Sequence, residues 1–311
     1  MEYQLYPAQV AAVVQALRAI FEDKRKADRV LQEVLKADKR RGSRDRAFIA
    51  ESTYDIVRHY RRLAFLRGGR PRTENEWWEL WGVYWTDKTN QPPPRWRELS
   101  GMPPAGEVRE RYEKVRADPA LDESFPDWLF ELGKRELGDD WLPAIKALNK
   151  TAEVVMRVNT LKTDREDLQR RLAADDIRTE PVGEVGLKLL KRANVFGHAT
   201  FQLGWFEMQD ASSQRVAQAL APEPGMTVVD ACAGAGGKSL HIAALMNNKG
   251  RLIALDTEEW KLEELSKRAR RAGVFIADTR AITSSKIVKR LDNKADRLLL
   301  DVPCSGLGVL R

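Results

Sequence analysis

A chain of 311 residues with 43% apolar and 32% charged residues can bury two or three cores and cover them, which excludes a wholly disordered protein. Its 53 Lys+Arg against 46 Asp+Glu leave a formal charge of +7, an excess that favours a polyanionic partner. With two cysteines, no apolar run of about 18 residues and no signal-like N-terminus, the expectation is a cytoplasmic protein with no disulfide framework and no membrane helix.

The first elements are helical. Val10, Val13, Val14 and Leu17 recur at helical spacing, then Val30, Leu31, Val34 and Leu35, and a third stretch runs from Phe48 to Leu66 before Gly68 and Gly69 stop it. Lys24, Arg25, Lys26, Arg29, Lys39, Arg40, Arg41, Arg44 and Arg46 lie on the polar side, suited to phosphate contacts or to an ordinary solvated face. In NEWWELWGVYW, Trp77, Trp78, Trp81, Tyr84 and Trp85 share a helix; core packing is the first explanation and an exposed base-stacking platform the second. Pro92–Pro94 break the helix and mark a connection.

From Ser124, S-F-P-D reads as a capping box opening a pair of short helices, WLFELGKREL and WLPAIKALN. EVVMRVNTL reads as a strand, TDREDLQRRLAADD as a helix opened by Thr163, and GLKLLKR as a strand. After Phe206 the order becomes regular: helix DASSQRVAQAL, strand TVVDAC, helix KSLHIAALMNN, strand RLIALD, helix EEWKLEELSKRARRA, short strand VFIAD, helix ITSSKIVKRL, strand ADRLLLDVP. Such alternation argues for a parallel, doubly wound sheet with strands buried on both faces.

The first of these strands runs into VVDACAGAGG. Gly234, Gly236 and Gly237 follow a strand and open a helix, where missing β-carbons let backbone turn sharply and approach a ligand. Asp256 closes the next strand, at the separation expected of an acid reaching ribose hydroxyls. A G-x-G-x-x-G count from Gly234 needs its last glycine where Ser239 stands, and a P-loop needs its first where Cys232 stands. Asp230, three residues, then Gly234-x-Gly236 suit the turn of S-adenosylmethionine-dependent methyltransferases. Lys238–Ser239 and the LLLD run ending at Asp301 keep an ATPase as an alternative, and the basic helices keep a noncatalytic RNA-binding module as another.

RVNTLKT at Arg157–Thr163, QDASS at Gln209–Ser213, DACAGAGGKS at Asp230–Ser239 and LLDVPCSGLGVLR at Leu299–Arg311 together resemble the NOL1/NOP2/Sun family of RNA cytosine-5 methyltransferases. GSRDRAFIAESTYDIVRHYRR is similar to the helical N-terminal part of bacterial members. The resemblance implies a Rossmann-like methyltransferase core with a helical N-terminal domain and a small α/β accessory domain. Its divisions are a helical RNA-binding-like domain at 1–90, a linker at 91–124, an accessory region at 125–205 and a partial methyltransferase domain at 206–311. It implies ribosomal RNA as partner and S-adenosylmethionine as cofactor. Cys232, Ala233, Gly234, Ala235, Gly236, Gly237 and Lys238 then surround the methionine portion, Asp256 holds ribose, Asp278 lies at the adenine-side wall and Asp301 stands at the junction of cofactor and base. The family's usual C-A-A-P-G-G-K is CAGAGGK here.

Cytosine C5 becomes nucleophilic once a thiolate adds at C6, so the chemistry needs a cysteine, an acid near N3 and a base out of its stack. Asp301 and Cys304 are the catalytic candidates. By resemblance the attacking cysteine comes from a later TCS motif, Cys304 assists product release, and three more strands follow DVPCSG. The expectation is a truncated chain that keeps cofactor affinity without normal turnover, its last strand bearing uncovered apolar surface. Lys261, Lys267, Arg268, Arg270 and Arg271 suit either RNA phosphates or i,i+4 pairing with Glu258, Glu259, Glu263 and Glu264. His59, His198 and His241 show no metal-ligand spacing, so no zinc is expected.

Overall fold

The computed structural model describes residues 5–304 and residue 306. Two compact units form, one on the chain up to Thr151 and one on Ala152–Ser305.

The first unit is helical: α1 (Pro7–Phe21), α2 (Ala27–Ala37), α3 (Ser43–Arg58), α4 (Tyr60–Arg67), α5 (Glu74–Thr89), α6 (Ala105–Ala117), α7 (Pro119–Asp122), α8 (Asp127–Leu137) and α9 (Trp141–Leu148). Pro7 sits at the first turn of α1, where its missing N–H costs nothing, and α1 packs on α2, α3 and α5. Thr73 and Glu76 close a capping box at α5. Trp77, Trp78 and Trp81 are buried with Leu17, Ile49, Ile56 and Leu63, and Trp96 stacks on Trp81 at 6.1 Å. These rings are therefore core, and no base-stacking platform forms from them. Residues 91–124, expected as a linker, carry α6 and α7; Arg62 on α4 pairs with Asp122 of α7 (2.9 Å) and with Asp87 of α5 (2.6 Å), and Tyr112 of α6 donates to the same Asp87. Ser124 forms no capping box: its φ is +59°, Pro126 takes the cap position, and the hydroxyl accepts the Arg62 amide at 3.0 Å.

The second unit holds two sheets. The smaller is antiparallel, in the order β2-β3-β1-β4, from β1 (Val155–Val158), β2 (Thr179–Val182), β3 (Gly186–Leu189) and β4 (Phe206–Met208). Helix α10 (Arg165–Ala174) covers it and is capped by Asp164, whose carboxylate accepts the Asp167 amide, rather than by Thr163. A short α11 (Ala199–Gln202) precedes β4, and α12 (Ala211–Leu220) follows it.

The larger sheet is parallel throughout, in the order β7-β6-β5-β8: β5 (Thr227–Asp230), β6 (Arg251–Asp256), β7 (Ala277–Ala281) and β8 (Arg297–Leu299). Its crossovers are α13 (Gly237–Leu245), α14 (Glu259–Ala272) and α15 (Ser285–Lys289). Alternate strand residues feed opposite layers, as a period of two requires. Val228, Leu252 and Ala254 pack with α13 and α14, while Val229, Ile253 and Leu255 pack with Ile282, Ile287 and Leu291. This is a Rossmann-like α/β core, preceded in the chain by a helical N-terminal region. The short strand expected at VFIAD is displaced along the chain, since Val274 packs in the core before pairing begins at Ala277. Edge strand β8 leaves Leu298 and Leu300 exposed, with Val302 beyond it.

Candidate functional site

A parallel sheet gathers the carboxyl ends of its strands, and with them the first turns of the following helices, along one edge. Asp230, Asp256 and Ala281 close β5, β6 and β7 there, and Asp301 follows β8. Between Asp230 and α13 the chain turns through Gly234 and Gly236, with φ of +53° and +89°, values that favour glycine. The Gly236 amide donates to the Ala233 carbonyl at 2.9 Å, and Ala233 N–H donates to Leu255 O at 2.8 Å, fastening the turn to the neighbouring strand.

Asp256 is the acid that this turn engages. One carboxylate oxygen accepts the Gly234 amide and the other the Glu258 amide, both at 2.9 Å. Two backbone donors orient the carboxylate and leave its remaining lone pairs outward. A β-carbon at Gly234 or Gly237 would meet no atom within 4 Å, so the backbone is open to close approach on that side. The first amides of α13 lack intrahelical acceptors and sit at the positive end of the helix dipole, a setting for a carboxylate.

Asp230 lies beneath the turn. It is 1% exposed and accepts the Ser239 hydroxyl at 2.7 Å and the Cys232 amide at 3.4 Å, while burial pushes its carboxyl upward. Ser239 is fully buried, so its hydroxyl supports the turn and is not presented to a nucleotide-bound magnesium ion. Lys238 reaches across to Asp301 at 2.6 Å. Burial, followed by the charges of Asp230, Asp256 and Asp301, raises the Cys232 thiol, the opposite of an activated thiolate. Cys304 is exposed on the segment after β8.

The structure thus brings Cys232, Ala233, Gly234, Ala235, Gly236, Gly237, Lys238, Asp256 and Asp301 to one edge. Asp278 is not brought there. It pairs in register with Ile253, while Ala281 is level with Asp256, and it binds Arg251 (2.8 Å) and Arg280 (2.6 Å). The Arg280 hydrogen bond leads in holding its carboxyl below the usual range. The displaced strand start is the reason: Asp278 falls near the beginning of β7 and not at its end.

The basic face of α14 also differs from expectation. Lys261 pairs with Glu258 and Lys267 with Glu264 at i,i+3, whereas Arg268 and Arg271 turn inward to Glu207 on β4, whose side chain is 3% exposed. Sequence reasoning missed Glu207 and the buried role of Arg157. The signal was present: each is a lone charge inside an apolar strand, VVMRV and WFEM. His241 is buried on α13 and His198 contacts Asp175 and Thr200. Among the described residues, no three His, Cys, Asp or Glu side chains converge on a metal position, and no helix is long and apolar enough to cross a membrane.

Residues 217–311 match the family model described as 16S rRNA methyltransferase RsmB/F, and residues 125–196 match the ferredoxin-like domain described for RsmF/B-like methyltransferases. A probable ribosomal RNA small subunit methyltransferase B of Bacillus subtilis is 37% identical over 62% of this chain and 44% of its own length. One from Synechocystis is 38% identical over 60% of this chain and 43% of its own. The chain therefore spans less than half the length of these curated relatives. A solved structure of a methyltransferase homolog from Pyrococcus horikoshii is 30% identical, with TM-score 0.56, over 62% of this chain and 64% of that one.

Proposed function

Because the chain is homologous to the RsmB/F, NOL1/NOP2/Sun-related ribosomal RNA methyltransferases, we propose that it binds S-adenosylmethionine at the turn between Asp230 and Lys238 and serves methylation of cytosine C5 in ribosomal RNA. The observation that carries the reading is the Asp256 carboxylate, held by the Gly234 and Glu258 amides beside backbone that no side chain covers. Its outward lone pairs suit the two hydroxyls of a ribose, and the first turn of α13 suits an amino-acid carboxylate. When bound, the cofactor supplies an electrophilic methyl group.

The chain's own residues fill the remaining roles. Asp301, held by Lys238, faces the polar edge of the pyrimidine and accepts hydrogen bonds from it. Cys304 assists release of the methylated base. Cys232, with its raised thiol, lines the methionine end and takes no nucleophilic part. A cytoplasmic setting follows from that substrate. The P-loop alternative loses its magnesium ligand to the bond between Ser239 and Asp230.

Calorimetry on the chain with S-adenosylmethionine, ATP with magnesium, and NAD separates the readings. Heat is expected with the first alone, and Asp256→Ala should weaken that binding at least about tenfold, near 1.4 kcal/mol. RNA binding without any adenosyl binding would instead assign a noncatalytic module.

A further inference from the structure

Two carbonyls of the glycine turn are held by arginine side chains from other elements. Arg268 on α14 donates through Nη1 to the Ala235 carbonyl at 2.7 Å. Arg157 on β1 donates through Nη1 to the Gly237 carbonyl and to Gln209 Oε1, each at 2.9 Å. Neither arginine is free to leave. Arg157 is 2% exposed, and Arg268 is gripped by Glu207 on β4, whose Oε2 accepts Nε at 3.2 Å and Nη2 at 2.8 Å. Two charge-assisted hydrogen bonds converging on one oxygen of a buried carboxylate, with a third donor on the Ala235 carbonyl, restrain the guanidinium plane as well as its position.

The consequence falls on one peptide plane. The bond between Ala235 and Gly236 is pinned at its carbonyl by Arg268 and at its amide by the Ala233 carbonyl. A peptide group is rigid, so two anchors leave its orientation no freedom. Gly236 otherwise has wide access to φ, and this is where the chain enters α13. Fixing that plane fixes the direction of the first helical amides.

We infer that Arg268 is a positioning residue for the cofactor turn, acting through the Ala235 carbonyl and held in place by Glu207 of the small antiparallel sheet. The inference rests on reading the turn as the adenosyl site, and it makes that sheet a working part of the site. Arg271 supplies an internal contrast. It pairs with the same Glu207 and lies over the Phe201 ring at 4.1 Å, yet makes no hydrogen bond to a turn carbonyl among the described residues.

The test uses the whole chain with Arg268→Met, Arg268→Lys and Arg271→Met. Three quantities are read: S-adenosylmethionine affinity by calorimetry, amide hydrogen exchange at residues 234–238 without ligand, and the melting temperature. Arg268→Met is expected to weaken binding about tenfold and to speed exchange in the turn by a similar factor, as loss of one charged hydrogen bond would. Arg268→Lys should recover part of both. Arg271→Met should lower the melting temperature comparably while leaving affinity within about twofold and exchange unchanged. Wild-type affinity and exchange in Arg268→Met, or equal effects from Arg271→Met, would overturn the inference. If Arg268→Met does not fold, Arg268→Gln keeps one donor toward Glu207, falls short of Ala235, and carries the same comparison. Absence of adenosyl binding by the unaltered chain would sink the cofactor reading itself, and the exchange data alone would then decide the role of Arg268.

Discussion

Gly234 and Gly236 share a positive φ, yet they answer to different constraints. A β-carbon at Gly236 would lie 2.6 Å from Leu265 Cγ, inside the core, whereas one at Gly234 would enter open space. Gly236→Ala should therefore cost about 2 kcal/mol or more, combining left-handed strain with overpacking. Gly234→Ala should cost only about 1 kcal/mol of strain but weaken S-adenosylmethionine binding by at least about tenfold. Urea unfolding and calorimetry on both variants check this; a Gly234→Ala chain with unchanged affinity would contradict it. The turn was legible in sequence because its glycines and Asp230 are local to one another. Asp278 was misplaced because its position depends on where β7 starts to pair, and Arg268 was misread because its partner, Glu207, lies far away in the chain.

His241 carries a second residue-scale consequence. Burial lowers its pKa to about 3, and neither ring nitrogen has a hydrogen-bond partner among the described residues. The unfolded chain takes up this proton near pH 6.5 and the folded chain only near 3. Between those values the unfolded state binds more protons, so stability falls as the solution is acidified. From pH 7 to pH 5 the loss assigned to His241 is on the order of 2 kcal/mol. Thermal melts at both values should show a smaller decline for His241→Gln than for the unaltered chain, and equal declines would refute the assignment.

At the scale of elements, apolar periodicity identified the helices well because it reports burial, and it failed where burial and pairing part company. Val274 is core without being strand, and β2 (TEPV) pairs with β3 although its side chains are only partly covered and it contains a proline. Ser124 had the composition of a cap, but its backbone went left-handed and its hydroxyl served Arg62. Helix α5 shows the opposite case, where spacing alone placed the rings in the core. Trp81→Ala there should cost about 3–5 kcal/mol through the cavity it leaves. Seven of the nine tryptophans precede Thr151, so their fluorescence should register the shift in the urea midpoint; an unmoved midpoint would count against the core assignment.

For the whole molecule, the order of strand and helix after Phe206 was enough to predict a doubly wound parallel sheet, since right-handed crossovers leave few other arrangements. The division near Thr151 was less visible. It falls between helical and strand-forming stretches that no proline- or glycine-rich tract separates, and each side has its own apolar cluster.

Among the described residues, β8 forms an open edge of that sheet. β8 pairs only with β5 among the described residues, and Leu298, Leu300 and Val302 are more than half exposed. Unsatisfied amides flanked by greasy side chains recruit any strand that drifts alongside, including the same strand of another molecule. Crowded solutions of this chain should accordingly grow heavier species in sedimentation velocity as concentration rises. Leu300→Lys, by planting a charge on that edge, should keep the boundary single.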